Sequence, residues 1–462
     1  MHCIQTTGAL ESGASCVYNL RMIVMKFGGS SVANAQRIER VASIVAAYKD
    51  NRPVVVLSAM GDTTDHLLEA AEGALNGRVD VGKVERLHVD TMGTLGIEDH
   101  EVFTLIGELK SFLTGVSMIH ELSRRSRDYL VSFGERLSAR IMASYLRKLG
   151  IASQAFDAWD VGFKSDSNYG AAELLSSVWE DVPRCLAPYT TGQVGAIPVV
   201  TGFIAKDKSG VVTTLGRGGS DLTATMIGAA AGASEIQTWK DVDGILTADP
   251  KIVSEAKPVD EVTYEEAQEL AIFGSQVLHP RSMIPCRKRG VPVRVKNSYN
   301  IESKGTLIVE SHTGEVPLVT AITKVKNVSL IDIQSSRMLG ASGFLAHIFN
   351  QFLKWNISID VIATSEVSLS LTVDGKAELA GLLEDLRRVA DVTVKDDKAI
   401  ITVICDASRS TGIIARAFGG LAEAGINVQM ISHGASKVNI SFLVENAEAD
   451  QAIRVVHSKL FA

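Results

Sequence analysis

From Met22 onward the chain alternates short apolar runs with longer amphipathic stretches. The run MIVMKF is followed by apolar residues at helical spacing from Ala35 to Tyr48, then by PVVVLSAM and by helical stretches carrying Leu67, Leu68 and Leu75. Further strand-like runs cover Ile197 to Phe203, Ile236 to Trp239 and Pro292 to Val295. Such alternation predicts an α/β layer fold with a mostly parallel sheet, because parallel neighbours need a crossover between them. The rhythm persists far enough to set a first domain over residues 22–312.

After Gly314 and Pro317 the texture changes. At an offset of 69 residues, Gly343, Ala346, Phe349, Ile357 and Ile362 fall opposite Gly412, Ala415, Phe418, Ile426 and Ile431. Both halves then continue into an alternating strand, Val367 to Val373 and Val438 to Val444. Loop glycines and helix apolar positions that recur together predict a duplication: two small α+β modules over 325–395 and 396–462, each reading strand, loop, helix, strand, strand.

At 462 residues the chain exceeds the roughly 250 to 300 at which one core stops growing, which agrees with several domains. A 46% apolar and 21% charged composition is that of a folded, core-rich protein. The net charge of -7 argues against a nucleic-acid partner or an anionic membrane surface, though not against a local basic pocket. Five cysteines, at 3, 16, 185, 286 and 405, form no metal-type spacing, so a reducing, cytoplasmic setting without structural zinc is expected. The uncharged stretch Leu186 to Ala205 carries Pro188, Gly192, Gly195, Pro198 and Gly202, and reads as loop and strand rather than a membrane span. Residues 1–21 lack the pattern of a signal peptide and read as an N-terminal extension or a weak targeting segment, with Met22 and Met25 as alternative starts.

Candidate chemistry sits where strands exit into helices. Lys26-Phe27-Gly28-Gly29-Ser30-Ser31 offers a lysine and paired glycines whose amides can approach a phosphate, although an ordinary strand-to-helix turn reads the same way. No GxxxxGK[ST] segment exists, so a nucleotide site would not be of the Walker type. Gly216-Arg217-Gly218-Gly219-Ser220-Asp221 suits an anion held by backbone N–H groups and a guanidinium fork; a Gly-rich hairpin with Ser220 or Asp221 as helix cap is the plainer account. Lys240-Asp241-Val242-Asp243-Gly244 with Asp249-Pro250-Lys251 could serve a nucleotide, but Asp-Gly and Asp-Pro are common turn chemistry. Ser132-Phe133-Gly134-Glu135-Arg136 reads as a turn opening a helix, with its charges at the helix start. His279, before Pro280, reads as a turn residue rather than a base.

Taken in order, KFGGSS, the Ser58-Ala59-Met60-Gly61 turn with Thr64, SFGER, TGFIA from Thr201 to Ala205, GRGGSD, KDVDGILTADP and FGSQVLHP resemble the motif set of aspartokinases in the amino-acid kinase superfamily. The likeness covers nearly the whole chain from Met22. The tail resembles the tandem ACT modules of the same enzymes, with Arg337-Met338-Leu339-Gly340 and Ser358 to Ser368 similar to the lysine-sensitive class. The resemblance implies a carbamate-kinase-like three-layer sandwich followed by two ferredoxin-like ACT domains, with the last segment of the chain helping to complete the first of them. It also implies phosphorylation of the L-aspartate side chain by ATP with Mg²⁺, the metal held without a dedicated set of protein side chains. Because an aspartate carboxylate is already ionised at pH 7, the reaction needs cations more than a general base.

Carried over by motif, the resemblance gives Lys26 and Asp221 catalytic roles and assigns ATP to Lys26, Gly28, Gly29, Ser30, Lys240, Asp241, Leu246 and Lys251. It assigns aspartate to Ser58, Thr64, Glu135, Arg217, Gly218, Gly219 and Ser220, with Arg217 as carboxylate clamp and Glu135 facing the α-ammonium. Lysine as effector is implied at Met338, Ala341, Gly343, Phe344, Leu345, Ser358, Ile359, Asp360, Ser365 and Glu366, at a homodimer interface that leaves tetramers open. Leu246 and Gln276 depart from residues common in the family, and a plant source would imply a plastid. Competing readings are another amino-acid kinase, for which SFGER and an ACT tail would be unexpected, and a sensor with a degenerate kinase domain.

Overall fold

The structure, a computed structural model, describes residues 22–274, 278–335, 338, 342–407, 410–433 and 438–461. The N-terminal extension, Gln276 and Ala341 lie outside the described residues. An eight-stranded sheet forms the centre, in the order Ser153–Phe156, Ile197–Thr201, Val54–Leu57, Ile23–Phe27, Glu235–Lys240, Val293–Asn297, Thr306–Val309, Glu261–Thr263. Every neighbouring pair is parallel except Val293–Asn297 with Thr306–Val309.

Period-2 alternation decides the layers. In Ile23–Phe27 the odd positions Ile23, Met25 and Phe27 enter one core, under helices Ala35–Ala47, Thr63–Leu75, Gly82–Leu95, His100–Ile119 and Arg124–Lys148. Val24 enters a second core, under Val178–Thr190, Gly219–Ala231, Tyr264–Ile272 and Pro280–Arg289. Lys26 shares the face of Val24, so its side chain is sent toward the helix that begins at Gly219. The helix Ala35–Ala47 shows how locally this is written: Asn34 caps it by accepting from the Arg37 N–H, and Ile38, Val41, Ala42 and Val45 make its buried stripe.

Two elements differ from expectation. SFGER opens nothing; it lies in the middle of the 25-residue helix Arg124–Lys148, which Ser123 caps. Gly134 is there because the helix crosses the Ser58–Met60 turn so closely that a Cβ would come within 2.7 Å of the Ala59 Cβ. The other is the segment before Ile197: helix Val178–Thr190 runs through Pro183 and Pro188, carried by its apolar stripe Val178, Val182 and Leu186. Only from Thr191 does the loop-and-strand reading hold.

The C-terminal part is one six-stranded antiparallel sheet, ordered Ile362–Thr364, Ser368–Asp374, Val319–Gln334, Asp391–Cys405, Asn439–Glu445, Met430–Ser432. Its two central strands span both halves. Val328–Gln334 pairs with Ser368–Asp374 and packs with helices Phe344–Lys354 and Ala380–Arg387. Residues 319–326 instead pair with the end of Asp391–Cys405 and pack with helices Ser410–Glu423 and Ala449–Leu460. The interleaving is thus the reverse of the expected one: the first strand completes the C-terminal half, and the other half is inserted between.

Candidate active site

In a parallel sheet the carboxyl ends of the strands are where backbone amides, helix N-termini and loops converge. Lys26, the penultimate residue of its strand, and Lys240, the last of its neighbour, stand there. The Lys26 Nζ lies 2.6 Å from Asp221 Oδ1, and both residues are buried. Asp221 stands in the first turn of Gly219–Ala231, where the helix dipole favours a carboxylate. Burial lowers the pKa of Lys240; the Asp221 charge opposes that shift and the Lys26 charge reinforces it. Two ammonium groups and one carboxylate in a dry setting are electrostatically suited to an approaching polyanion.

A cleft of about 460 Å³ opens from these lysines. Gly28 and Ser30 form one wall, and Asp241, Leu246 and Pro250 belong to the opposite loop. Gly28 precedes the single turn Gly29–Val32, and a Cβ on Gly28 would sit 3.7 Å from the Lys26 Nζ, in the space a phosphate would use. Lys251 is exposed and does not line this cleft; its N–H closes a turn on Asp249. Ile322 and Thr323 of strand Val319–Gln334 do line it, and the Thr323 hydroxyl donates to the Phe273 carbonyl at 2.7 Å.

The second cluster is joined to the first by backbone. Gly29 lies against the Ser58–Gly61 turn: a Cβ on it would be 2.7 Å from the Ala59 carbonyl oxygen, and the Gly61 N–H donates to the Gly29 carbonyl. On the far side of that turn, Glu135 is 4% exposed, accepts from the Ala59 N–H, and has Oε2 without a partner among the described residues. Burial pushes its carboxyl up to about 8. Thr63 is fully buried beside it and Thr64 half-buried. Gly202 hydrogen-bonds the Leu57 carbonyl and packs against Ser220, which draws the Arg217-Gly218-Gly219-Ser220 loop toward Ser58. Arg217 itself is exposed, with no ion pair among the described residues. His279 packs on Gly218 and caps helix Pro280–Arg289 by accepting from the Arg281 N–H, which is the turn role expected of it.

The regulatory candidates gather at an edge. Gly343 precedes helix Phe344–Lys354; Met338, Phe344 and Ile359 share one apolar cluster; Ser365 and Glu366 form the turn after edge strand Ile362–Thr364. Ser358 and Asp360 line a cavity of about 310 Å³ with Trp355, Asp374, Lys376 and Glu378. Asp360 keeps an exposed face, yet loss of water around it, with the Asp374 charge adding, lifts its carboxyl to about 6.

A three-layer sheet domain with an ion-paired lysine and glycine turns at its carboxyl edge is the architecture of an amino-acid kinase. The profile described as amino acid kinase family matches residues 21–297, and one described as ACT domain matches 405–460. Aspartokinase 1, chloroplastic, of Arabidopsis thaliana is 46% identical over 98% of this chain and 81% of that protein. Lysine-sensitive aspartokinase 3 of Escherichia coli is 34% identical over 95% of this chain and 99% of that one. Crystal structures of the E. coli aspartokinase III, one with aspartate and ADP (R-state) and one with lysine and aspartate (T-state), each superpose with TM-score 0.78 at 32% identity, covering 96% of this chain and 100% of theirs. The chain belongs to the aspartokinase family. It is accordingly an ATP-dependent kinase acting on aspartate.

Proposed function

We propose that the chain transfers the γ-phosphoryl group of ATP to the side-chain carboxylate of L-aspartate, giving 4-phospho-L-aspartate, the first step toward lysine, threonine and methionine. We further propose that lysine inhibits it through the ACT region. The observation that carries the substrate assignment is Glu135: a buried carboxyl with an unpartnered oxygen, one turn of backbone away from the Lys26 cleft, is matched by an α-ammonium. Arg217, exposed and unpaired among the described residues, can close a bidentate fork on the α-carboxylate. The acceptor carboxylate then points at the phosphates rather than at Glu135.

Catalysis in this reading is positioning and charge neutralisation. Lys26, oriented by Asp221, meets charge on the transferring phosphoryl group; Lys240 lies beside the leaving group; Gly28, Gly29 and Ser30 offer amides to the triphosphate. Among the described residues no group of three acidic, His or Cys side chains could cage a cation, so Mg²⁺ fits as a partner of the phosphates, with Asp221 or Asp241 the available carboxylates. When bound, the metal would supply positive charge to offset that of the triphosphate.

Support for a lysine site and a homodimer comes from one place. Among the described residues the edge strand Ile362–Thr364 hydrogen-bonds only Ser368–Asp374, and Leu345, Ile362 and Val367 are exposed apolar residues of the same half, suited to a second copy. Asp360 there can pair an effector ammonium. The test is Mg²⁺- and ATP-dependent acyl phosphate trapped with hydroxylamine across aspartate, glutamate and acetylglutamate, with and without lysine. Hydroxamate from aspartate alone, suppressed by lysine, is expected. Product from another acid refutes the substrate assignment, and no product at all favours a sensor.

A further inference from the structure

Between Glu135 and the Arg217 loop lie two charged side chains that the roles above do not use. Asp128 is seven residues before Glu135 on helix Arg124–Lys148 and is 2% exposed. Seven residues make about two helical turns, so both carboxyls leave the same helix face. Asp128 Oδ2 accepts from the backbone N–H of Gly170 at 2.9 Å and of Thr214 at 2.8 Å, while Oδ1 accepts from the Thr214 hydroxyl at 3.0 Å. Arg281 does the complementary thing. Its Nη1 donates to the Leu215 carbonyl and its Nη2 to the Ala172 carbonyl, each at 3.0 Å.

The two segments so bridged are also joined directly, by the Ala172 N–H to the Thr214 carbonyl at 2.8 Å. The Gly170 carbonyl lies against Gly216, where a Cβ would be only 3.2 Å away. Residues 170–172 and 214–216 therefore form a small platform, held through its N–H groups by an anion and through its carbonyls by a cation. Arg217 is the next residue, and its own side chain has no ion-pair partner among the described residues. Burying a carboxylate is costly, and apolar packing stabilises as well or better, so a purely structural role is a poor account of Asp128.

We propose that Asp128 and Arg281 are positioning residues for Arg217: they fix the start of its loop relative to Glu135 and so set affinity for the amino-acid acceptor, not for the nucleotide. This rests on the reading of Arg217 as the acceptor's carboxylate clamp. The test uses the full chain with Asp128→Asn and Arg281→Lys, hydroxamate formation with aspartate and ATP varied separately, and thermal melts alongside. Each variant is expected to raise KM for aspartate about tenfold or more, with KM for ATP within about twofold, because a charge-assisted anchor is lost while the residues lining the Lys26 cleft are unchanged. Thr214→Val deletes only the hydroxyl bond to Asp128, gives a smaller rise of the same selectivity, and replaces Asp128→Asn if that variant fails to fold. Equal rises for both substrates, or an unchanged aspartate KM in folded variants, overturn the proposal. If the wild type turns over a different acid, the assignment of aspartate falls alone, and the same selectivity is read on that acid.

Discussion

Replacing Glu135 with Gln should weaken the enzyme for aspartate and strengthen it as a folded protein, and both effects follow from one buried carboxyl. In the folded chain its pKa is about 8, against an ordinary value of 4.5, because burial penalises the charged form. Between those values the unfolded chain has released the proton and the folded chain holds it, so stability is lost as pH rises across that window. The loss approaches about 1.4 kcal/mol per pH unit and reaches about 5 kcal/mol near pH 8 as an upper bound. Glu135→Gln removes that penalty, so its melting temperature in the absence of substrate should exceed that of the wild type at pH 8, and the advantage should shrink toward pH 5.

The acceptor's ammonium needs the ionised form. Below about pH 8 binding must therefore expel a proton, and KM for aspartate should fall roughly tenfold per unit from pH 6 to 7 before levelling. In Glu135→Gln that slope disappears, and KM at pH 8 is raised about 100-fold, the loss of one charge-assisted hydrogen bond of roughly 3 kcal/mol. Initial rates with saturating ATP across pH 6 to 8.5 read the slope, and calorimetry in buffers of different ionisation enthalpy reads the expelled proton. A wild-type KM independent of pH, together with an unchanged KM in the variant, would refute the role of Glu135.

Lys26→Met should cut kcat by about 10³ and destabilise the chain by about 3 kcal/mol, since Asp221 is left buried and unpaired; adding Asp221→Asn should restore the melting temperature but not the rate. Arg217→Lys keeps the charge and loses the planar fork, so KM for aspartate should rise at least tenfold or so while nucleotide binding holds; near-normal aspartate dependence contradicts the clamp. Lysine inhibition should weaken as pH falls through about 6, where Asp360 becomes protonated and can no longer pair an ammonium, and Asp360→Ala should remove it without changing kcat in the absence of lysine.

What was legible in the sequence was what neighbours in the chain encode. MIVMKF, PVVVLSAM and the run Ile236 to Trp239 are strands because alternation and continuous apolarity are local, and the recurrence of Gly343 at Gly412 is likewise a local signature. SFGER was misplaced because Gly134 looks like punctuation; its reason is Ala59, a contact through space. The platform under Arg217 left no motif at all, since Asp128 meets Thr214 across 86 residues and Arg281 meets Ala172 across 109. Nor does any spacing betray that Ile322 and Thr323 of the regulatory strand wall the cleft. An acidic residue seven before Glu135 on one helix face is the only signal that could have pointed to Asp128.

That shared strand would also supply a physical route between the proposed effector site and the cleft. Val319–Gln334 carries Ile322 and Thr323 at the cleft, and its far end pairs with Ser368–Asp374 beside the lysine candidates. Where the two halves meet, both long strands hold a left-handed residue, Asn327 at φ 60° and Asp397 at φ 54°, with register shifts on either side of Val328. A bulge of this kind would act as a free hinge, but Asn327 is tied down: its side-chain oxygen accepts from Asn446 at 2.8 Å and its carbonyl from the Gly375 N–H at 3.0 Å. A displacement in one half would therefore be passed to the other instead of being absorbed. Asn327→Gly with Asp397→Gly keeps the left-handed backbone accessible, removes the side-chain tie to Asn446 and so loosens the joint. Lysine should still bind, while inhibition at saturating lysine falls several-fold, because coupling energies of this kind are only about 1 to 3 kcal/mol. Complete inhibition of the double variant at saturating lysine would show that the signal does not travel along these strands.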